Sequence, residues 1–269
     1  MAARLDDRLV LITGASAGIG RAAASAFVDA GARVLGVARD GDALDELAGE
    51  LPAGRFVPLV ADVTDGQAME ALAERALAIG LPDVLVANAG VGLDAPFADT
   101  DDEALRRVFQ VNVFGLVRTV RPFVRPMVRR GNGRILWVSS IVGKRGIPNY
   151  SAYSASKFAL HGMADALRTE LYGSGVTVGL VCPSSTATGF QEHMDRRGPS
   201  QRRVRPRTHS ARSVAEALVR MATSRRKELV LSAEARLMAR LNCFAPGLLD
   251  RILARMLNPA AERKEPDGR

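Results

Sequence analysis

Residues 9–20 read Leu9-Val10-Leu11-Ile12-Thr13-Gly14-Ala15-Ser16-Ala17-Gly18-Ile19-Gly20, and this stretch decides the fold. Its first half is an apolar run with no polar alternation, which suits a strand covered on both faces of a parallel sheet. Glycine enters where that run stops, and a helix-period segment opens at Ile19. Glycines at such a junction permit a tight turn and close approach of backbone to a pyrophosphate. The helix N-terminus behind them offers unpaired N–H groups to the anion. The spacing is Gly-x3-Gly-x-Gly, not the Gly-x-Gly-x2-Gly of the commoner dinucleotide fingerprint. Three glycines near a turn also serve purely structural ends, but their place after the first strand favours nucleotide binding.

Outward from this stretch the alternation repeats. Apolar runs at 33–38, 56–61, 83–87, 134–139, 176–182 and 228–232 read as further strands. Helix-period segments lie at 19–30, 41–51, 67–79, 101–130, 153–173 and 211–223. The pattern predicts an α/β fold, a doubly wound sheet of seven mainly parallel strands with helices on both faces. Pro122 and Pro126 fall inside the fourth helical segment and predict a kink or break there. No repeat or linker divides the sheet, so residues 1–232 are expected to form one domain with an insertion at about 184–212. Residues 233–257 read as an amphipathic helical tail, and 258–269 as a disordered end.

Composition narrows the class. The chain has 269 residues, 47% hydrophobic and 25% charged, ordinary values for a packed domain. A wholly disordered chain, a collagen-like repeat and a minimal disulfide scaffold are excluded. Lys plus Arg number 37 against 29 Asp plus Glu, a net charge of +8. Lysine occurs only at Lys144, Lys157, Lys227 and Lys264, so the excess is arginine, which reads as compositional bias before it reads as a nucleic-acid face. No aromatic stacking platform or recognition motif accompanies the charge, and no nucleic-acid partner is expected. Cys182 and Cys243 show no metal or redox spacing. Residues 1–8 carry two acids and no apolar core, so they do not read as a signal peptide. No apolar run approaches the ~20 residues that span a bilayer. The expectation is a reduced, cytoplasmic protein without a metal.

The second strand ends Val37-Ala38-Arg39. An acidic residue at this strand end would bond the ribose hydroxyls of NAD and repel a 2′-phosphate. Arg39 stands there instead, and a guanidinium grips a phosphate through paired hydrogen bonds, which argues for NADP(H) over NAD(H). A solvated surface arginine is the plainer alternative, and Asp40 is placed to pair with Arg39 or touch a ribose. Tyr153 and Lys157 stand four apart in a helical segment and therefore share a face. A free phenol has a pKa of ~10, and an ammonium close by would lower it. The pair is suited to give a proton to a carbonyl oxygen or take one from an alcohol. A half-buried tyrosine beside a surface lysine shows the same spacing.

With these residues in view, the chain resembles the short-chain dehydrogenase/reductase family over nearly all of residues 9–232. The Thr13 to Gly20 turn matches that family's Thr-Gly-x3-Gly-x-Gly. Ala87-Asn88-Ala89-Gly90 is similar to its Asn-Asn-Ala-Gly element, with Ala87 in place of the first Asn. Ser140 precedes Tyr153 by 13 residues, the family's spacing for its catalytic serine, and Asn112 matches the fourth catalytic position. The resemblance implies a Rossmann-like fold and an oxidoreductase acting between carbonyl and secondary alcohol. Tyr153 would be the general acid/base, with Lys157 lowering its pKa and holding the nicotinamide ribose. Ser140 would donate to the substrate oxygen, and Asn112 would anchor a water passing protons onward from Lys157.

The same resemblance implies cofactor contacts from Gly14, Ser16, Gly18, Ile19 and Gly20 in the turn, and from Asp62 and Val63 after the third strand. It adds Asn88, Ala89 and Gly90, then Pro183 and Thr188 after the sixth strand. Asp62 would face the adenine edge; read alone it is a plain strand-end cap. One departure stands out: Ser184 replaces the glycine of the family's Pro-Gly-x3-Thr, and a non-glycine serves there if its φ is negative. A homo-oligomer, dimer or tetramer, is also implied, through the helix holding Tyr153 and the one before it. A nucleotide-sensing regulator that binds NADP without chemistry is the alternative.

Two segments stand outside the alternation. Phe190, His193 and Met194 precede Arg196, Arg197, Arg202, Arg203, Arg205, Arg207 and Arg212, which read as a solvated loop or as a lure for an anionic substrate group. The tail carries Leu237, Leu241, Phe244, Leu248, Ile252 and Met256 at helical intervals with arginines flanking, and Pro246-Gly247 divides it. It would cover the cleft, pack on a second subunit or lie on an acidic membrane; docking on protein is the favoured reading. His161 and His209 read as structural or surface residues.

Overall fold

The computed structural model describes residues 4–191, 194–197 and 209–257. Seven strands build the main sheet: β1 (Leu9–Thr13), β2 (Arg33–Ala38), β3 (Phe56–Val60), β4 (Val84–Ala87), β5 (Gly133–Val138), β6 (Val176–Cys182) and β7 (Glu228–Val230). Their order is β3-β2-β1-β4-β5-β6-β7, and every pairing is parallel. Seven helices accompany them: α1 (Gly18–Asp29), α2 (Gly41–Glu50), α3 (Gly66–Ile79), α4 (Asp102–Phe109), α5 (Leu116–Arg130), α6 (Ser151–Glu170) and α7 (Ala211–Ala222).

Two apolar layers hold the sheet, and the strand period of two divides residues between them. Leu11, Leu35, Ile135 and Leu180 point to the layer shared with α3, α5 and α6. Val10, Ile12, Val34, Leu136 and Val181 point to the opposite layer, against Phe27 of α1, Leu44 of α2 and Leu218 of α7. Because both faces are buried, no polar alternation survives in the strands, which is why they read as continuous apolar runs. Since all seven strands are parallel, their carboxyl ends share one edge. The chain winds outward in opposite directions from β1 and β4, and a crevice opens at that switch point.

The segment 101–130 is not one helix broken at its prolines. Pro122 and Pro126 lie inside α5, which runs through them, its Leu116, Val120, Phe123 and Met127 buried against the sheet. The interruption is upstream, a π-type turn over Gln110–Gly115. Asn112 sits in that turn with its side chain clamped to both backbone groups of Val91, at 2.8 and 3.0 Å, and to Ser156 Oγ at 2.9 Å. Side-chain bonds to a neighbouring loop here substitute for regular helical bonding, a common setting for a π-bulge.

Two small parallel pairs hold the ends of the 184–212 insertion: Leu93–Asp94 with Asp195–Arg196, and Thr186–Ala187 with His209–Ser210. Of the loop residues singled out above, His193, Arg202, Arg203, Arg205 and Arg207 lie outside the described residues, as does 258–269. Arg197 is engaged by Asp101 and Asp195, and Arg212 by Glu216.

The tail forms two helices, α8 (Ala233–Phe244) and α9 (Pro246–Leu257), and it docks on this chain. Ala235 and Leu249 are buried. Asn242 donates to the Lys144 carbonyl at 3.1 Å, while Arg145 donates to Asn242 at 2.8 Å and pairs with Asp250. Among the described residues no helix is long and apolar enough to cross a membrane.

Candidate active site

A cleft of about 1160 Å3 runs along the carboxyl edge of the sheet, from the end of β2 to the inner face of the tail. That exceeds the ~300–1,000 Å3 usual for one ligand and leaves room for a dinucleotide beside a second molecule.

The floor at one end is the glycine turn. Gly14 and Gly18 have φ of +70° and +54°, the left-handed region that favours glycine. A Cβ on Gly14 would sit 2.9 Å from Asn88 Nδ2, and one on Gly20 only 1.9 Å from the Gly14 carbonyl oxygen. Gly14, Ser16, Gly18 and Ile19 line the cleft, whereas Gly20 packs beneath the turn and supports it. Helix α1 has Ala17 at its N-cap, so it carries no side-chain cap, and no acidic residue lies in its first turn. By contrast Asp40, Asp65, Asp101, Ser210 and Ser232 each cap the helix they precede. The open N–H groups and the positive end of the α1 dipole therefore face the cleft, as an anion requires. This bare cradle fits the pyrophosphate of a dinucleotide.

At the ends of β2 and β3, Arg39 is largely exposed and its Nη1 lies 3.8 Å from Asp62 Oδ2. Asp40 does not compete for a ribose through that oxygen, because its Oδ1 accepts the Ala43 N–H at 3.0 Å and caps α2. Asp62 Oδ1 accepts from the Thr64 backbone and hydroxyl, both at 2.8 Å, which fixes its carboxylate at the cleft wall next to Val63. Asn88, Ala89 and Gly90 follow β4 along the same wall. Asn88 also braces the turn: its amide donates to the Thr13 carbonyl at 3.0 Å, while its backbone N–H donates to the Thr13 hydroxyl at 3.1 Å. Thr13, buried at the β1 end, thus supports the site through contacts that its place in the glycine motif does not reveal.

Across the cleft, Ser140 caps a short turn after β5, accepting the Val142 N–H at 3.4 Å. Tyr153 and Lys157 come from the first turns of α6, both buried. Burial pushes the Tyr153 phenol above its ordinary pKa, and the Ser140 hydroxyl beside it only partly opposes this. Burial also lowers the Lys157 ammonium, to about 8. Its Nζ lies 5.6 Å from the centre of the tyrosine ring and donates to the Val138 carbonyl at 3.0 Å, so desolvation outweighs attraction. Asn112 lies behind the cleft wall; Gly90 stands between it and Lys157, and a Cβ there would meet Asn112 Oδ1 at 3.2 Å and Lys157 Nζ at 3.6 Å.

Pro183, Ser184 and Thr188 close the far side. Among the described residues the non-glycine positions with positive φ are Asp7 and Asn149, so Ser184 occupies its position without left-handed backbone. Thr188 packs over the glycine turn, its Cβ 3.4 Å from where a Gly18 Cβ would lie. Beyond them the walls turn apolar: Ile147, Phe190 and Met194 from the body, and Met238, Leu253 and Met256 from the tail. The Phe190 ring centre is 5.9 Å from that of Tyr153.

A partly buried polar chain runs behind Ser140. The Ser139 hydroxyl meets His161 Nε2 at 3.0 Å, His161 lies 3.9 Å from Cys182 Sγ, and Lys144 bonds Glu228 at 2.7 Å beside that thiol. Burial, with Lys144 adding to it, lowers His161 to about 4, and burial with Glu228 raises the Cys182 thiol. His161 thus has partners that its sequence context did not reveal.

Comparison with known proteins agrees with this geometry. The family model described as short chain dehydrogenase matches residues 8–198. The galactitol 2-dehydrogenase (L-tagatose-forming) of Cereibacter sphaeroides is 41% identical over 187 residues, covering 69% of this chain and 74% of that one. The probable oxidoreductase EphD of Mycobacterium tuberculosis is 38% identical over 230 residues; the match takes in 79% of this chain but spans only 39% of EphD's length. Among solved structures, a short-chain dehydrogenase/reductase from Burkholderia phymatum in complex with NAD superposes with a TM-score of 0.82 at 26% identity, over 90% of this chain and 95% of that one.

Proposed function

The chain belongs to the short-chain dehydrogenase family of oxidoreductases, and from that premise we propose that it interconverts a carbonyl and a secondary alcohol with NADP(H). A nicotinamide cofactor follows from the family and from the NAD complex of its structural neighbour. The preference for the phosphorylated form rests on Arg39, whose exposed guanidinium at the end of β2 would grip a 2′-phosphate. Gly14, Ser16, Gly18 and Ile19 would hold the pyrophosphate, Asp62 and Val63 the adenine, and Asn88, Ala89, Gly90, Pro183 and Thr188 the remainder. When bound, the cofactor supplies or accepts the hydride.

The observation that carries the reading is the convergence of Ser140, Tyr153 and Lys157 on one side of a cleft whose other end is the bare glycine cradle. A phenol raised by burial keeps its proton at neutral pH and is in the form that reduction needs. Tyr153 gives that proton to the carbonyl oxygen as negative charge develops there, and Ser140 donates a second hydrogen bond to the same oxygen. Lys157, mostly cationic at neutral pH, keeps positive charge near that oxygen and offers donors to a ribose. Asn112 fixes the turn that positions Gly90 against Lys157. The apolar outer wall favours a carbonyl carried on an apolar body.

Exposed Leu105, Phe114 and Phe158, on α4, the π-type turn and α6, support a homo-oligomer assembled over these elements. The test of the reading is Tyr153→Phe assayed with NADPH across a carbonyl and alcohol panel. Turnover should fall by at least ~100-fold while NADPH binding is retained. Tight NADPH binding by a native protein that turns over no member of the panel would replace this reading with that of a nucleotide sensor.

A further inference from the structure

Asp94 lies in the substrate half of the cleft, where the other walls are mainly apolar, and only 8% of its surface is exposed. Its backbone is held from two sides. The Asp94 carbonyl accepts the Arg197 N–H at 2.9 Å, and the Ala95 N–H donates to the Asn149 carbonyl at 2.8 Å. Asn149 pays for that contact with a φ of 67°, a conformation uncommon outside glycine. The Asp94 side chain, however, is sparsely used. Among the described residues, its hydrogen-bond donor is the Tyr150 hydroxyl at 3.3 Å, long for an O–H···O bond, and no cation pairs with it. A carboxylate has about four acceptor sites, and burying one so lightly satisfied is costly.

Tyr150 links this carboxylate to the reacting centre. Its ring meets that of Tyr153 edge-on, with centres 6.4 Å apart. We propose that Asp94 and Tyr150 form a second polar subsite, which binds a hydroxyl of the substrate one or two carbons from the reacting carbonyl. This rests on the carbonyl–alcohol reading above and names a substrate class for it, hydroxy ketones and the corresponding diols. A hydroxyl suits the pair better than an ammonium does. It donates to Asp94 while the single Tyr150 proton turns from the carboxylate, where its 3.3 Å bond is long, to the substrate oxygen, whereas an ammonium has no lone pair to accept that proton. Arg107, which lines the same cleft, also disfavours a cation.

The test compares kcat/KM for α- and β-hydroxy ketones with that for the matched ketones carrying hydrogen in place of the hydroxyl. The native protein should prefer one of the hydroxylated partners by at least about tenfold, as a site built to bond a hydroxyl rejects analogues lacking it. In Asp94→Ala the ratio should fall to within about threefold of one, and in Tyr150→Phe it should fall partway. Equal use of both members by the native protein, or an undiminished ratio in Asp94→Ala, overturns the subsite while leaving the oxidoreductase reading intact. Calorimetric binding of the diols and mono-alcohols reads the same ratio without turnover. Tighter diol binding that Asp94→Ala abolishes supports the subsite even in a protein that reduces neither ketone, and equal binding overturns it.

Discussion

The Lys157 ammonium reaches past the Tyr153 ring, 5.6 Å from its centre, to donate to the Val138 carbonyl at 3.0 Å. A cation is thus held in the interior by one carbonyl while burial lowers its pKa to about 8. This has a consequence for stability. In the unfolded chain lysine titrates near ~10.4, so between pH 8 and 10.4 the unfolded state binds more protons than the folded one, and stability rises with pH. Relative to Lys157→Met, the native protein should gain about 3 kcal/mol across that window, at about 1.4 kcal/mol per pH unit. Urea unfolding of both proteins at pH 7.5, 9 and 10 would measure it. A constant difference would mean that Lys157 is solvated.

His161 acts in the acid range. Its folded pKa of about 4 lies below the unfolded ~6.5, so as pH falls from 6.5 to 4 only the unfolded state takes up the proton, and stability is lost. Because part of the ring remains solvent-accessible, the expected loss is on the order of 1–2 kcal/mol, not the full shift. His161→Gln should lack this component of acid sensitivity in unfolding midpoints measured from pH 7 to 4.5. An identical acid profile in the two proteins would contradict the burial argument.

Arg39 should govern cofactor choice. Asp40 is engaged as a helix cap and Asp62 is 3.8 Å away, so the exposed guanidinium would be open to a 2′-phosphate. Arg39→Ala is expected to lower kcat/KM for NADPH by about 10- to 100-fold, the worth of one charge-assisted pair, while changing the NADH value little. Parallel kinetics with both cofactors would decide. Native preference for NADH, unchanged by the substitution, would remove the case for NADP(H).

Arg145 should control the tail. Its guanidinium joins Asn242 in α8 and Asp250 in α9 to the loop after Ser140. Arg145→Ala is expected to speed amide exchange across 233–257 without altering β1 to β6, and to raise KM for bulky apolar ketones more than it lowers kcat. Unchanged exchange in α8 and α9 would show that Leu249 and its neighbours hold the tail alone.

The order of strands and helices was legible because burial on both sheet faces leaves an unmistakable one-dimensional trace. The glycine turn and the shared helix face of Tyr153 and Lys157 were likewise legible through fixed spacing, and the family resemblance pointed to Ser140, which the fold brings to the same cleft. The break at Gln110–Gly115 was not, since prolines at 122 and 126 carry the stronger local signal, and the turn depends on Asn112 bonding to Val91 and Ser156, residues distant in the chain.

Alone, then, the order of residues determined a parallel α/β sheet, a glycine turn and the placing of a phenol and an ammonium on one helix face, because each depends on short-range spacing and hydrophobic period. Folding in three dimensions decided the rest. It set the sign of the Tyr153 shift, the closure of the cleft by the tail, and the meeting of Asp94 with Tyr150 across 56 positions. Desolvation and long-range contact depend on what surrounds a group in space, and no local pattern of residues records that.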